Sequence, residues 1–377
     1  MKTNQLIVMG AIAAAALAGA LLLKGHDDAG AGGSGASRLD GPLLPALKPA
    51  VNNIDSIRLN AGDQEITLDR GETGWSIRER DGYAAQVGRV RELLLTLAEA
   101  TVLEEKTSDP ENYAALGLAS PTTVTITSDA FDEAQEVSIG NGARRGSATY
   151  VRRGNEAPTW LVSGSISAQA DTLSWIDPII LDVPGERIQS ATITHADGEV
   201  VRIEKASPQE IGYDVLDVPE GKELRYDAIA NPIGSTLATL RLEEVSSAAE
   251  GSPLDDSELL TNVRYATFDG LILEVQTYDG GDAQWLTLAA SVDEEQAQRF
   301  APSSSASETD ASSLAEENAA PSEGDEFATL AQVEAEADEL NARLGPWVYS
   351  VGRYKIEQLT RRMDDLVQDP PPTPDAS

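Results

Sequence analysis

The strongest constraint on this chain is that it carries the same local words twice, in the same order. Ile54-Asp-Ser-Ile-Arg-Leu59 is echoed by Ile188-Gln-Ser-Ala-Thr-Ile193, and Gly74-Trp-Ser-Ile77 by Gly212-Tyr-Asp-Val215. Thr96-Leu-Ala98 followed by Leu103-Glu-Glu105 returns as Thr236-Leu-Ala238 followed by Leu242-Glu-Glu244. Ala148-Thr-Tyr-Val151 matches Ala283-Gln-Trp-Leu286, and Trp160-Leu-Val-Ser163 matches Trp347-Val-Tyr-Ser350. The offset stays near 135 to 140 as far as Leu286 and then jumps to 187, so an extra segment of about 50 residues precedes Trp347. This pattern predicts an α+β protein of two tandem copies of an antiparallel-sheet-plus-helix unit, each large enough to enclose its own core. The copies span 50–185 and 186–368, the second with an acidic insertion at about 292–344.

Within the first copy, Ile54–Leu59, Glu65–Leu68 and Trp75–Arg78 are short strands separated by glycine-containing turns. Ile57 and Leu59, with Ile66 and Leu68, show the alternation of strands buried on one side. Val90, Leu93, Leu94, Leu97 and Thr101 then fall at helical spacing. The second copy repeats this with Asn231 as N-cap, Pro232 at the first helical position, and Ile233, Thr236, Leu237 and Leu240 on the buried face. Further strands are expected near Thr123–Thr127, Glu136–Ile139, Thr149–Arg152 and Trp160–Val162. In the insertion, Asp293 to about Asp325 has too little apolar surface to pack and is expected to be disordered. Phe327, Leu330, Val333, Ala337, Leu340 and Leu344 predict an amphipathic helix stopped by Gly345-Pro346.

At the N-terminus, Leu6 to Leu23 is an unbroken apolar run behind Lys2. As a helix it is about 27 Å long, enough to cross the core of a bilayer. It is a signal anchor or a signal peptide. The small residues a peptidase needs lie inside the run, with Leu21-Leu-Leu23 beyond them, which favours an uncleaved transmembrane anchor over residues 1–24. Residues 25–49 form a flexible Gly/Ala/Ser-rich linker, and the proline-rich tail at 369–377 is expected to be disordered.

Acidic residues number 63 against 28 basic ones, a formal charge of −35. Such a field repels nucleic acid, which is excluded as a partner. A salty habitat fits the same acidity. With no cysteine, thiolate chemistry, disulfides and cysteine-ligated metals are excluded. Only His26 and His195 are present, so no histidine metal cage and no Ser-His-Asp arrangement is expected, and no cofactor is called for.

Few residues invite a functional reading. Gly140-Asn-Gly142-Ala-Arg-Arg-Gly146 lacks the Gly-Lys-Ser/Thr ending of a phosphate loop, and Asn141-Gly142 predicts a hairpin turn. Arg144, Arg145, Arg152 and Arg153 are the one basic cluster, bracketing the strand that contains Tyr150. Guanidinium groups beside an aromatic ring suit an acidic partner surface, so these five residues are the candidate partner-binding set. Trp75, Trp160, Trp175, Trp285 and Trp347 are expected in packing rather than on a glycan platform. Asp177 and Asp364 align between the copies but fall at cap or surface positions.

The order of strand meander, Gly-Trp-x-Ile, amphipathic helix, Tyr113-Ala-Ala-Leu-Gly-Leu-Ala-Ser-Pro121, Val137-Ser-Ile-Gly140, Tyr150-Val-Arg152 and Trp347-Val-Tyr349 resembles the bacterial family catalogued as domain of unknown function 4340. The resemblance runs from about Ala50 to Val367. Its members resemble accessory proteins encoded beside gliding-motility-type ABC transporter components. That implies a single-pass protein of the bacterial inner membrane with its folded region in the periplasm, and a protein partner in an ABC transport complex. The family brings no catalytic residues to carry over. The expected function is therefore a non-catalytic, membrane-anchored extracytoplasmic interaction module. The alternatives are an extracytoplasmic protein binding a small ligand or glycan between the copies, and a hydrolase using paired carboxylates.

Overall fold

A computed structural model describes residues 40–144, 146–300 and 328–370. The apolar run Leu6–Leu23, most of the linker, Arg145, residues 301–327 and the end of the proline-rich tail lie outside the described residues. Among the described residues no helix is long and apolar enough to cross a membrane.

The fold is α+β, dominated by two large antiparallel sheets. In the first half, α1 (Leu47–Ala50) leads into β1 (Ser56–Ala61), β2 (Gln64–Arg70), β3 (Trp75–Ile77) and β4 (Tyr83–Ala85). Helix α2 (Val87–Glu99) follows, then β5 (Val102–Glu105), β6 (Thr122–Thr127), β7 (Gln135–Gly142), β8 (Ala148–Arg153) and β9 (Thr159–Ser163). These strands form a nine-stranded sheet in the order β4-β3-β2-β1-β6-β7-β8-β9-β5. The second half contributes β10 (Ile179–Leu181), β11 (Ile188–His195), β12 (Val200–Glu204), β13 (Asp214–Val215), β14 (Glu223–Leu224) and the short helix α3 (Asn231–Gly234). After these come β15 (Leu240–Ser247), β16 (Glu258–Thr267), β17 (Leu271–Asp279), β18 (Gln284–Val292), α4 (Glu294–Phe300), α5 (Leu330–Leu344) and β19 (Trp347–Val351). The chain closes with α6 (Arg353–Leu359), α7 (Met363–Leu366) and β20 (Val367–Gln368), and β14 pairs with β20 alone.

Read from β13, the second sheet runs β13-β12-β11-β16-β17-β18-β19-β15-β10. Its first eight strands follow the same succession as β3-β2-β1-β6-β7-β8-β9-β5. Registers agree as well. Ile57 and Leu59 lie opposite Leu68 and Ile66 on one side and Ile126 and Val124 on the other. Ala191 and Ile193 lie opposite Ile203 and Val201, and opposite Tyr265 and Val263. All of these side chains are buried, as a strand with one face on a core requires.

One correspondence differs from the word-for-word match. The ladders of β5 and β15 shift register between Val102 and Glu104 and between Leu242 and Glu244. Counted from those bulges, the place of Trp160 is taken by Tyr349 rather than Trp347. The pairs Val151 with Trp160 and Leu286 with Tyr349 give the same result. A slip of two residues keeps every side chain on its face, so the similar words survive while the position moves.

The halves share one core. A single cluster of buried apolar side chains runs from Leu43 to Val367, where two separate centres were expected. Strand β10 precedes residue 186 yet joins the second sheet, with Ile179 opposite Arg241 and Leu181 opposite Leu240. Across the junction, the Tyr83 ring packs edge-on against Trp347 at 4.9 Å and Tyr349 at 6.4 Å.

Helix α5 follows the predicted period, burying Val333, Ala337, Leu340 and Leu344 behind a capping box of Thr329 and Gln332. Two other helical expectations need correction. The helix expected to run from Asn231 through Leu240 stops at Gly234, and the Asn231 side chain accepts from the backbone N–H of Tyr213 at 3.2 Å. The carbonyls of Thr236 and Ala238 are taken instead by the Lys355 ammonium at 2.7 and 2.8 Å. The start of the supposedly disordered insertion is helix α4. Ala297 is wholly buried, and Gln296 donates to Gln189 Oε1 at 2.8 Å. Gly270 makes room for this helix, because a Cβ there would lie 2.7 Å from the Ala297 nitrogen.

Arg187 clamps α5 onto the second sheet. Its Nε donates to Asp269 at 3.0 Å, and Nη1 and Nη2 reach both oxygens of Glu336 at 2.7 and 2.6 Å. Burial works against this charge, but the bonds to Glu336 and Asp269 more than offset it and hold the guanidinium fully protonated. Asp269 is almost wholly buried. Arg187→Ala leaves that carboxylate uncompensated and is expected to cost about 3–5 kcal/mol, read as a lower urea midpoint at unchanged slope. A loss below about 1 kcal/mol would show the clamp to be dispensable.

Candidate functional site

The five candidate residues do not form one patch. Arg144 is exposed in the turn between β7 and β8, and Arg145 lies outside the described residues. Arg152 and Arg153 sit at the far end of β8, roughly 13–17 Å along the strand from Ala148, where the turn that carries Arg144 closes. The turn itself is displaced from its expected place. Asn141 and Gly142 are the last residues of β7, the register shifts between Ile139 and Gly142, and residues 143–147 make the connection.

Successive side chains of a strand point to opposite faces, so Tyr150 and Arg152 share one face of β8 and Arg153 takes the other. The Arg153 guanidinium lies 5.3 Å from the centre of the Trp160 ring. That of Arg152 lies 5.7 Å from the centre of the Tyr113 ring, which is fixed by its hydroxyl donating to the Ala157 carbonyl at 2.6 Å. The Arg152 Nε–H is buried and has no acceptor among the described residues. Tyr150, Arg152 and Tyr113 therefore form a cation–aromatic surface suited to a carboxylate-bearing partner.

The position of Tyr113 is set by a close backbone crossing. Pro110–Leu116 is a 3-10 turn that ends at Gly117 in the left-handed region, with φ 73°. A Cβ on Gly117 would meet the Asn141 side chain at 2.5 Å, and one on Gly140 would meet the Leu116 carbonyl at 2.3 Å. Only hydrogen fits at either place. The segments Tyr113–Pro121, Val137–Gly140 and Tyr150–Arg152, separate in sequence, thus interlock beneath this surface.

A second feature lies at the junction of the sheets, a groove of about 400 Å³ lined by Tyr83, Gln86, Asp177, Ile179, Arg343 and Trp347. Arg343 donates to the Ile180 carbonyl at 2.8 Å, and Asp177 accepts from the Ile179 N–H at 3.0 Å. Burial pushes the phenols of Tyr83 and Tyr349 up, against the pull of Arg343, so both remain protonated at neutral pH. Aromatic walls with one cation and one carboxylate suit a polar ring such as a sugar. These residues come from distant parts of the chain, so no spacing in the sequence could have grouped them.

Among the described residues no group of three or more His, Asp or Glu is placed to hold a metal ion. Asp364 lies on α7, where its carbonyl accepts from Arg225 at 3.1 Å. His195 is buried at the end of β11 with Nε2 3.1 Å from the Arg361 carbonyl. Of the tryptophans, Trp160, Trp175 and Trp285 are buried and Trp75 and Trp347 are half-buried against the core.

A family model described as a domain of unknown function (DUF4340) matches residues 48–258, more than half of the chain. The match takes in the whole first sheet and continues through β15. No curated protein and no solved structure matches.

The crossing predicts a contrast between glycines. Gly140→Ala forces backbone apart and is expected to cost about 1–3 kcal/mol. Gly88→Ala, in α2 with open space around its Cβ, should be neutral or gain up to ~1 kcal/mol. Equal unfolding midpoints for the two variants would mean that the crossing is not tight.

Proposed function

The chain belongs to the family described as a domain of unknown function (DUF4340), and on that premise we propose that it is a non-catalytic interaction module of a membrane complex. In this reading Leu6–Leu23 anchors it in the bacterial inner membrane, the folded region stands in the periplasm, and its partner is a component of an ABC transport system. The two sheets are proposed to be tandem copies of one unit. Their matching strand succession and registers support this.

The observation that carries the interaction reading is the Tyr150–Arg152–Tyr113 surface. It offers a stacked, pre-oriented guanidinium in a chain with 63 acidic residues. A planar cation held on a ring loses little freedom when a carboxylate binds.

The junction groove favours a second reading, an extracytoplasmic protein that holds a small ligand or glycan between the sheets. Its Tyr83 and Trp347 walls support it. Thermal stabilisation by a defined sugar, lost in Trp347→Ala, would favour it over the first.

Tagged full-length protein, extracted from native membranes after alkaline washing, should bring transporter components with it. Tyr150→Ala with Arg152→Ala should reduce that recovery several-fold at unchanged melting temperature. Arg144→Ala should leave stability within about 0.5 kcal/mol, as for an exposed turn residue. Unchanged recovery by the double variant would remove this surface from the interaction. A soluble protein beginning just after Leu23 would replace the anchor with a cleaved signal.

A further inference from the structure

Helix α2 carries two apolar stripes, although the periodicity called for one. Val90, Leu93, Leu94 and Leu97 are buried as expected. Val87, Arg91 and Leu95, four residues apart, line the other side, and Val87 and Leu95 are 52% and 38% exposed. With Trp75 and Arg70 they border a groove of about 330 Å³. Arg70 is oriented by donating to the Asn52 carbonyl. Neither Arg70 nor Arg91 forms an ion pair among the described residues, and the Trp75 indole N–H finds no acceptor there.

We propose that this groove docks an acidic amphipathic helix of a partner protein, its apolar side chains seated on Trp75, Val87 and Leu95 and its carboxylates on Arg70 and Arg91. The spacing fits, because Val87, Arg91 and Leu95 rise about 6 Å at each step, the repeat of one helical turn. An apolar line interrupted by a cation reads a partner with apolar residues a heptad apart and an acid between them. The charge also fits. Two guanidiniums without carboxylate partners beside an apolar wall select carboxylates, whereas a basic segment would find better sites almost anywhere on this acidic chain. The remaining negative charge does not forbid an acidic partner, since at physiological salt it is screened beyond about 8 Å. A bilayer is the weaker fit, because a broad anionic surface would meet the net charge of −35 rather than one groove. This surface is separate from that of β8 and does not depend on the transport reading.

The test uses the full-length protein in detergent and a labelled helical peptide with leucines a heptad apart and glutamates between them. A counterpart with lysine for each glutamate and vesicles of phosphatidylglycerol are the comparison probes. The glutamate peptide should bind saturably, and the lysine peptide and vesicles should not bind at this groove. Arg70→Glu with Arg91→Glu should weaken binding by at least about tenfold, as should Leu95→Glu, with the melting temperature unchanged. Arg144→Ala, in the exposed turn between β7 and β8, should have no effect. Should the double variant melt early, Arg91→Gln alone, at an exposed helix position, must still weaken binding. The proposal fails if the glutamate peptide does not bind, if both peptides bind alike, or if charge reversal leaves binding intact. It fails equally if only the vesicles bind in a way that Arg91→Glu abolishes, which would make the groove a contact with lipid.

Discussion

The short strand Ile179–Leu181 is the join on which the rest of this architecture depends. It leaves the first half and lies along β15, so the second sheet is completed by a strand that precedes its own half of the chain. The approach to it is fixed from both sides. The Trp175 carbonyl accepts from the Gln86 N–H at 2.6 Å, and Asp182 accepts from the Thr239 N–H at 2.6 Å. With both ends held, the edge strand β4 is brought against Trp347, and the groove between the sheets follows from that contact. Sheets joined by this crossing segment and one apolar cluster should unfold together.

Cations are scarce in this chain, and several of them act as staples. Arg187 holds α5, Arg225 binds the Val367 carbonyl at 3.0 Å, and Lys205 donates to the Gly185 carbonyl at 3.0 Å. Burial lowers the pKa of both Lys205 and Lys355, and both spend their charge on backbone carbonyls. Lys355 also gives a physical reason for the short α3. It binds the Thr236 carbonyl, which a helix running to Leu240 would have used internally, together with that of Ala238. Arg70 and Arg91 differ from these in lying beside exposed apolar surface.

What could be read in advance follows from how local each signal is. The strands around Ile57, Ile66 and Val124, and the helix from Leu330, announce themselves through a period of two or of about 3.6 that needs no knowledge of the rest. Helix α4 does not, because it is seated through one small buried residue, Ala297, against Gly270 in the turn between β16 and β17. The arginine cluster was close in sequence but divides in space, since neighbouring side chains of a strand face opposite ways. The converse holds at the junction, where Tyr83, Asp177, Arg343 and Trp347 meet only through the tertiary fold. The crossing of Gly117 and Gly140 lay between these extremes. Its glycines were visible, but what they approach was not.

The place of β19 bears on the order in which the sheet can be assembled. It is an interior strand, lying between β15 and β18, yet it follows β15 in the chain by about a hundred residues. As synthesis proceeds from the N-terminus, β15 and β18 each wait with an open edge until Trp347–Val351 has been made. Open edges are templates for pairing with other chains, and charge of one sign close to an edge opposes such pairing. The stretch from Asp293 to Arg343, with fourteen acidic and two basic residues, is delivered while those edges are still open. Its acidity thus reaches the nascent sheet during the interval in which that sheet is most exposed to self-association.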